Sequence, residues 1–524
     1  MSRVVAASWR TRVEDLARES SPVFLILTLV FAVAGALAIA GLSSDLKTFA
    51  VIGGLVFGVV AAFASGNPRL YCLWGFAFTL SLSLSKRFGP MFLGKPGGED
   101  SFRIELNDLF LFALAGFLLW ELLTERRKGV RVPKVTFVWL LLTAVGCAWI
   151  VVGPWRLTAS HEVFRMLKVM LLFIVICNEL SRPRRIWHCI AGLSLAAMGQ
   201  SIVALIQYHR RGLIGLQVLG ETSSNTIDVL GKTSVAGVEV FRPSGLLEHA
   251  NLLGVFLAVT ISLAVAMFLV SRSLIARIFF IAVIAVAMPA EIVAMSRSAW
   301  VSAAINLFLL LVFMLLHRGL RLRSVISSSV TCLIGVIIFA AFFGPITERL
   351  LRSKDDASRA REIYKADARN MIAAAPWLGH GLNSYVFELP NYATLAINSY
   401  GDQPPAVHNI FYMWWAETGI VGLIIFCTVW ISIIWTGFSN LTVRDELLYV
   451  ANAACLSAMI ALIPDSFLSF TLRVNTTLRL FWLLAAIIAA IRYMRLAEQR
   501  EITQIKRGMP VHTSDEAPAA AEAP

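Results

Sequence analysis

The sequence predicts an all-α, polytopic integral membrane protein with about fourteen transmembrane helices, and three observations support this fold class. Of the 524 residues, 58% are hydrophobic and only 15% are charged, whereas a soluble domain has about 25% charged residues. The hydrophobic residues form runs of the roughly 20 residues that a helix needs to cross a bilayer. Segments of about ten residues with alternating polarity, which indicate a membrane β-barrel, are absent.

Apolar runs separated by short polar segments give the positions of the predicted helices. The runs begin near Pro22, Leu46, Leu70, Asn107, Val135, Val163, Ile186, Leu246, Arg277, Ser298, Val325, His408, Leu447 and Asn475. Residues 22–493 are therefore predicted to form one transmembrane domain, after a short N-terminal segment (1–21) and before a tail (494–524). The low-complexity end of that tail, "SDEAPAAAEAP", is typical of a disordered segment.

Basic residues predict the orientation of these helices. Short basic segments at 124–134, 181–185, 271–277, 317–324 and 492–500 all fall on the same side of the bilayer. The positive-inside rule assigns this side, together with both chain termini, to the cytoplasm. Two segments fit less simply: residues 86–104 fall outside despite their charges, and residues 67–69 fall inside with little charge.

Net charge and cysteine content exclude several classes of partner. The net charge of +13 could indicate an anionic partner such as nucleic acid, but the positive-inside bias accounts for most of it. We therefore expect contacts with membrane lipids and none with nucleic acid. The seven cysteines all lie in apolar runs, which excludes a disulfide framework or a CxxC metal site.

Two long segments fall on the outer side, at about 208–245 and about 345–407, and loops of this length are usually functional. Polar residues stand where these loops and the shorter outer turns meet the membrane. They are Arg242, His249 and Asn251 in "FRPSGLLEHANLLG" (241–254), Arg297 in "AMSRSAW" (294–300), Arg361 in a polar, helical stretch (355–385), and the pair His408–Asn409.

Arg297 is the most informative of these residues, because it lies in a very short turn between two apolar runs. An arginine near membrane depth costs about 2.5–3.5 kcal/mol on insertion scales, so it usually has a function. The alternative is a side chain that reaches the lipid headgroups from a hairpin turn. Arg242 and His249 have a similar alternative, since a charged residue at a loop edge is often simply solvated.

His408 begins an apolar run, and Gly419 and Gly422 follow on nearly the same helical face, at 100° per residue. The glycines predict a seam where a neighbouring helix packs closely, with His408 above it. Two or more arginines can hold a diphosphate bidentately, and a histidine can take a proton from a hydroxyl group. In a membrane protein, an outward-facing diphosphate indicates a polyprenyl-diphosphate-linked glycan.

These motifs resemble the O-antigen ligase and polymerase superfamily of bacterial membrane glycosyltransferases. The family signature, His, then Asn, Ser or Gln, nine residues, and Gly-x-x-Gly, matches His408, Asn409, Gly419 and Gly422. "PWLGHGLNSY" (376–385), with Gly379 and Gly381, is similar to the Pro-x-x-Gly-x-Gly element that precedes it. "FRPSGLLEHANLLG" and "SRSAW" are similar to two further elements, and the likeness runs from about residue 160 to 490.

The resemblance implies a GT-C-like fold in the bacterial inner membrane, with the active site facing the periplasm. It implies that Arg242 and Arg297 bind the donor diphosphate and that His408 activates the acceptor hydroxyl or assists at the diphosphate. Arg361 would be a third phosphate ligand, and Asn409, His249 and Asn251 would bind substrate. The glycines would be structural.

The implied donor is a polyprenyl-diphosphate-linked glycan, and the implied acceptor is lipid A core or a second glycan. Polysaccharide-assembly proteins would be partners, and neither a metal nor another cofactor is expected. The sequence agrees, because no Asp-x-Asp or carboxylate cluster suited to Mg²⁺ lies near the outer face. One departure leaves the subfamily open: some ligases carry Arg-x-x-x-Leu, whereas Ser-Ala-Trp-Val follows Arg297 here.

Three alternatives stay open. An O-antigen or exopolysaccharide polymerase shares the donor, the carrier and the motif, and protein O-glycan ligases share the signature. A transporter of lipid-linked sugars belongs to another class, because transporters place polar residues near the membrane midplane. Glu291, within an apolar run just after Pro289, is the residue that favours a transporter, since intramembrane acids often mark transport pathways.

Overall fold

A computed structural model describes residues 66–92, 98–222, 232–235, 238–317, 356–394 and 406–506. The predicted helices near Pro22, Leu46 and Val325, and the predicted disordered end of the tail, lie outside these residues. The helices are α1 (Pro68–Thr79), α2 (Leu106–Leu123), α3 (Val135–Val152), α4 (Arg156–Glu179), α5 (Pro183–Arg210), α6 (Ala250–Val270), α7 (Leu274–Val293), α8 (Arg297–Leu316), α9 (Asp356–Ala374), α10 (Tyr385–Glu388), α11 (Ile410–Ser439), α12 (Glu446–Leu468) and α13 (Asn475–Lys506).

The fold class is confirmed as all-α and polytopic. In the part of the chain that the structure describes, nine helices are long and apolar enough to cross a membrane: α2, α3, α5, α6, α7, α8, α11, α12 and α13. Two further predicted spans differ. Helix α1 has 12 residues, about 18 Å of helix, against a hydrocarbon core of about 30 Å. Helix α4 has 24 residues but carries Glu162, Arg165 and Lys168 within its first thirteen.

The strands are few and lie in the loops. Strands β1 (Ser85–Phe88) and β2 (Phe102–Glu105) form an antiparallel pair in which Phe88 faces Phe102. Strands β3 (Lys232–Val235) and β4 (Val238–Phe241) form a second antiparallel pair, within the predicted outer loop 208–245. Both hairpins therefore occupy segments that the sequence assigned to the outer side.

Helix α6 is the centre of the bundle, with nearly all of its residues buried against neighbouring helices. Halfway along it, the Asn306 amide of α8 donates to the Ala258 carbonyl at 3.0 Å and to the Ser262 hydroxyl at 2.8 Å. The Ser457 hydroxyl of α12 donates to Asn306 Oδ1 at 2.7 Å. Hydrophobic burial gives membrane helices little reason to associate, because lipid tails are as apolar as the side chains. Hydrogen bonds between helices, such as these, help to hold them together.

The basic loops meet at one end of the bundle, which supports the predicted topology of the described helices. The Arg69 guanidinium binds Glu179 through two hydrogen bonds of 2.6 Å and also binds Glu121. Arg127 lies 3.3 Å from Glu121, and Arg185 lies 3.3 Å from Glu179. These five residues, here called the inner cluster, bring together the segments 67–69, 124–134 and 181–185.

Other contacts agree with this assignment. Trp187, next to segment 181–185, donates to the Ser271 hydroxyl at 3.4 Å, and Arg131 stacks over the Tyr493 ring of the tail at 5.7 Å. At the opposite end, Arg103 of the β1–β2 hairpin lies 3.8 Å from Glu248, beside the start of α6. The segments at 67–69 and 86–104 thus lie at the ends predicted for them. That the inner end faces the cytoplasm stays a prediction.

Candidate active site

His408 and Asn409 stand at the start of α11. Asn409 is the N-cap residue, and its side-chain oxygen accepts hydrogen bonds from the backbone N–H groups of Phe411 (3.0 Å) and Tyr412 (3.1 Å). The backbone N–H groups in the first turn of a helix have no partner within the helix, and an asparagine at the N-cap accepts hydrogen bonds from them. His408 therefore lies just outside the helix, held next to the cap.

The His408 ring is half-buried and packs against the Phe470 ring, with centroids 5.1 Å apart. Its Nδ1 atom is buried and has no hydrogen-bond partner among the described residues. Burial of the ring and the positive charge of Arg361 lower the pKa of His408 to about 4. The imidazole is therefore neutral near pH 7, and a neutral imidazole can accept a proton.

Arg242 joins the start of α6 to the end of α7. Its side chain is buried, and it donates from Nε to the Ala294 carbonyl at 3.1 Å and from Nη2 to Asn251 Oδ1 at 2.6 Å. The backbone N–H of Asn251 in turn donates to His249 Nδ1 at 3.0 Å, so that His249 caps α6. Because Nδ1 accepts this bond, the neutral ring of His249 carries its proton on Nε2.

His249 lies close to three other basic residues of the site. Burial and the charge of Arg242 lower the pKa of His249 to about 3, and His408 and Arg361 act in the same direction. Arg361 comes from α9 and also acts on the pKa of His408. The structure therefore places the predicted site residues Arg242, His249, Arg361 and His408 around one region, although they lie up to 166 positions apart in the sequence.

Arg297 is the first residue of α8, directly after the turn that ends α7. Met295 in this turn has φ +51°, a left-handed conformation that is costly for a residue with a side chain. The start of α8 is held near the start of α6, because a Cβ added at Gly254 would lie 2.7 Å from Ala299 and 3.2 Å from Ser296. The half-buried Arg297 therefore lies at the same end as Arg242 and His249.

Three long helices, α6, α8 and α11, thus begin at this region. A helix N-terminus carries a partial positive charge and backbone N–H groups that favour anions. Together with Arg242, Arg297 and Arg361, this arrangement creates a positive potential beside two neutral histidine rings. It suits a ligand with a negatively charged, phosphate-like group.

The Gly-x-x-Gly element breaks α11. Gly419 has φ +66° and ψ −174°, a conformation that favours glycine because it has no Cβ. A Cβ at Gly419 would lie 2.1 Å from the Trp377 carbonyl oxygen, and one at Gly379 (φ +76°) would lie 2.4 Å from the Glu417 carbonyl carbon. The backbone of 376–381 and that of α11 therefore touch.

Hydrogen bonds close this contact. The N–H groups of His380 and Gly381 donate to the carbonyls of Ala416 (3.0 Å) and Glu417 (2.9 Å), and the Ile420 N–H donates to the Pro376 carbonyl (2.9 Å). The loop thus supplies partners for backbone groups of α11 that the break leaves without helical hydrogen bonds. Irregular backbone at membrane depth needs such partners within the protein, because lipid offers none.

A comparison with protein families identifies this part of the molecule. Residues 290–427 match the family model described as O-antigen ligase. This segment is similar to O-antigen ligases, and we call it the O-antigen ligase domain. It covers about a quarter of the chain, and no curated protein sequence matches the chain. The match supports the resemblance to the O-antigen ligase superfamily that the motifs predicted.

The O-antigen ligase domain contains some of the predicted site residues and not others. It includes Arg297, Arg361, His408, Asn409 and the four motif glycines. Arg242, His249 and Asn251 precede it, and the fold brings them to it through α6. Their functional roles stay predictions. In the described part of the chain, no three His, Cys, Asp or Glu side chains form a group that could hold a metal ion.

Two details of the ligase domain differ from the expected geometry. The close neighbour of Gly419 is the loop 376–381, not a packed helix. A Cβ at Gly422 would meet the side chain of Thr418 in the same helix, at 1.9 Å from its Oγ1. The sequence predicted that a neighbouring helix would pack closely against a continuous α11 below His408. Because α11 breaks at Gly419, the loop 376–381 makes this close contact instead.

Sequence reasoning missed four residues near the site. Asp465, at the end of α12, accepts a hydrogen bond from the Thr471 hydroxyl at 2.6 Å and lies near Ser298 and Arg361. The others are Phe470, which covers His408, and the buried ion pair of Arg473 with Glu417, at 2.9 Å. The signal that singled out Arg297, a charged residue at the edge of an apolar run, also applies to "LIPDSFLSFTLRVN" (462–475).

Proposed function

We propose that the protein transfers a glycan from a polyprenyl-diphosphate carrier to an acceptor hydroxyl at the outer face of the bacterial inner membrane. The main support is that the neutral His408 lies near Arg361 and His249, at the end of the bundle where Arg242, Arg297 and three helix N-termini also lie, within and beside the O-antigen ligase domain. The acceptor that we propose is lipid A core, as in an O-antigen ligase.

The arginines and helix N-termini would bind the diphosphate of the donor. Negative charge grows on the leaving diphosphate as the bond from the anomeric carbon to its oxygen breaks. Donors fixed in advance around this charge stabilise it at little reorganisation cost, which is usually the largest electrostatic contribution to catalysis. Arg242 is suited to this role, because its bonds to Ala294 and Asn251 fix the guanidinium before a ligand arrives.

His408 would act as the general base. The acceptor hydroxyl oxygen attacks the anomeric carbon, its proton passes to the imidazole, and the polyprenyl diphosphate leaves. A base must be unprotonated to accept a proton, and the low pKa of His408 keeps it so in the ligand-free protein. The negative charge of a bound diphosphate would raise that pKa and make the ring a stronger base.

The membrane would supply both lipid substrates. The polyprenyl tail would enter sideways between helices, and residues 356–394, the main described part of the outer segment 345–407, would cover the sugars. A polymerase that adds a second lipid-linked repeat unit would need the same donor site and stays the alternative within the family. The transporter alternative loses its main support, because Glu291 lies in the last turn of α7, near the outer end and away from the midplane.

The first test is a surface-glycan profile of a deletion strain that expresses wild-type protein or His408→Ala. Lipopolysaccharide, secreted polysaccharide and extracted lipid-linked intermediates would be compared, with membrane levels of both proteins measured. We expect long chains to accumulate on the polyprenyl carrier and His408→Ala to restore no ligation, because loss of a general base costs about 10²–10⁴-fold in rate.

The other outcomes separate the alternatives. Accumulation of single repeat units would replace the ligase proposal with a polymerase. Full rescue by His408→Ala at normal membrane levels would overturn the catalytic role of His408 and favour a transporter.

A further inference from the structure

A network of buried ion pairs lies next to the candidate active site, on the side of Phe470. Arg473 lies 2.9 Å from Glu417 and 3.3 Å from Glu162, and the side chains of all three are at most 2% exposed. Arg165 lies 2.5 Å from Glu162 and also donates to the Arg473 carbonyl. Removing charges from water is costly, so ions at such depth are retained when they are paired and usually have a function.

Arg473 connects three segments that carry parts of the site. Through Glu417 it holds α11 two residues before the break at Gly419. Through Asn383 Oδ1, at 3.4 Å, it reaches the chain that continues the loop 376–381. Its own backbone N–H donates to the Phe470 carbonyl at 2.8 Å, in the short turn that presents Phe470 to His408.

Further contacts fix the orientation of this arginine. Its guanidinium lies over the Trp414 ring at 5.3 Å, and Asn383 donates to the carbonyls of Glu99 (2.8 Å) and Thr158 (3.0 Å). The planar guanidinium fork thus engages two carboxylates, an amide and a ring at the same time. A lysine, with a single ammonium group, could not reproduce this geometry.

We propose that Arg473 is a positioning residue for the candidate active site: it locks the 470–473 turn, the 376–383 segment and α11 together so that Phe470 covers His408. This inference rests on the proposed function only for its effect on transfer. Arg473 acts on His408 through the turn that carries Phe470 and through the course of α11. Without it, Phe470 no longer shields His408 from water.

Chemical labelling of His408 tests this geometry without any substrate. The purified full-length protein in detergent would be treated with diethyl pyrocarbonate, which reacts with accessible neutral imidazoles, and labelling would be followed by peptide mass spectrometry. The variants are Arg473→Met, Arg473→Lys, and the double variant Glu417→Gln/Arg473→Met. We expect labelling of His408 to be at least about threefold faster in all three than in wild type.

The double variant separates positioning from stability. It removes the carboxylate charge that Arg473→Met leaves unpaired, so the yield of folded protein should recover while His408 stays reactive. A purely structural role would restore both the yield and wild-type labelling, and that result would overturn the proposal. Arg69→Met is the matched control: it removes a partly buried, bidentate arginine at the inner end and should leave His408 labelling unchanged.

Kinetics give a second measurement. With a polyprenyl-diphosphate-linked oligosaccharide as donor and lipid A core as acceptor, Arg473→Lys should lower kcat at least about tenfold and leave the donor KM within about twofold. A raised donor KM at unchanged kcat would contradict positioning. Failure of the proposed function is distinguishable, because it would appear as full transfer by His408→Ala, whatever the labelling shows.

The pH profile gives a third measurement. His408 faces the charged Arg361 and the neutral His249, and neither changes in these variants. Exposure of its ring to water should therefore move the acid limb of kcat/KM upward, toward the ordinary histidine value. An acid limb identical to that of wild type would speak against the loss of Phe470 shielding.

Discussion

At the inner end of the bundle, Arg69 meets both oxygens of Glu179 at 2.6 Å, and Glu121, Arg127 and Arg185 complete a closed set of ion pairs. At the outer end, by contrast, arginines from α8, from α9 and from the segment before α6 lie near histidines that are held neutral. His408 Nδ1 is buried there with no partner among the described residues. Both ends are rich in arginine, but the inner cluster pairs each of its three arginines with a carboxylate, whereas the bonds described for Arg242 go to a carbonyl oxygen and an amide oxygen.

The partners of an arginine indicate whether it holds helices together or is placed to bind a ligand. Buried polar groups are normally hydrogen-bonded, and a group that is not needs an explanation. At the inner end the charges satisfy each other, which holds α1, α2, α4 and α5 together and leaves little affinity for a ligand. At the outer end the arginines lie beside three helix N-termini and two neutral histidines, and this arrangement favours a negatively charged ligand.

The largest expected effect comes from removing an arginine at either end. Arg297→Ala and Arg242→Ala should each reduce transfer about 10²–10³-fold, the usual effect of losing one preorganised donor to a developing anion. Arg69→Met should instead destabilise the fold by about 3–5 kcal/mol, the cost of breaking a buried ion pair, with unchanged rate per folded molecule. The measurements are transfer rates normalised to folded protein, and thermal unfolding in detergent.

Wild-type transfer by Arg297→Ala at normal membrane levels would remove that residue from the site. A loss of rate in folded Arg69→Met would show that the inner cluster is coupled to catalysis, and the two ends would no longer differ in the way described.

A smaller effect is expected from pH. With a pKa of about 4, His408 is protonated only in acid, so kcat/KM, which reports the free enzyme, should stay flat from pH 8 to about 5.5 and fall below. At pH 5.5 the rate should still be about 97% of its plateau, and at pH 5 about nine tenths. The check is kcat/KM between pH 4.5 and 8; a midpoint near 6.5 would mean that His408 is solvated and the site open.

The smallest effect compares two asparagine caps. Asn409 caps α11 at the site, and Asn67 caps α1 at the inner end by accepting from the Leu70 N–H at 3.0 Å. Replacing either with alanine should cost about 1 kcal/mol of stability. Only Asn409→Ala should also slow transfer, by a few fold, and Asn409→Ser should restore it because serine can cap. Equal rates in both alanine variants would leave Asn409 a structural role alone.

Much of the fold could be predicted from hydrophobic periodicity and charge. Helices α3 and α13 begin at Val135 and Asn475, where the runs predicted them, and the basic loops meet at one end. The exceptions have physical causes. Helix α1 is shorter than its apolar run, since it ends at Thr79 although the apolar residues continue. The length of an apolar run therefore does not by itself set the length of the helix.

The candidate site was predictable only in part. A charge at the edge of an apolar run pointed to Arg297, and the spacing of His408 and Gly419 pointed to α11. The break at Gly419 was not predictable, because helical phase says nothing of a loop that supplies the missing hydrogen bonds. Arg473 was missed because its partner Glu417 lies 56 positions away, and pairing over such distances depends on how helices pack.

The break in α11 also has a consequence for the order in which the protein assembles. The outer turns of α11 are completed by hydrogen bonds to residues about 40 positions earlier. These residues are synthesised first and can form the hydrogen bonds only after α11 has been made. Arg473 and Phe470, which follow some 50 positions later, join last. The candidate site is therefore finished only when α12 has crossed the membrane. A chain that ends before residue 470 would have the family signature but no cover for its histidine.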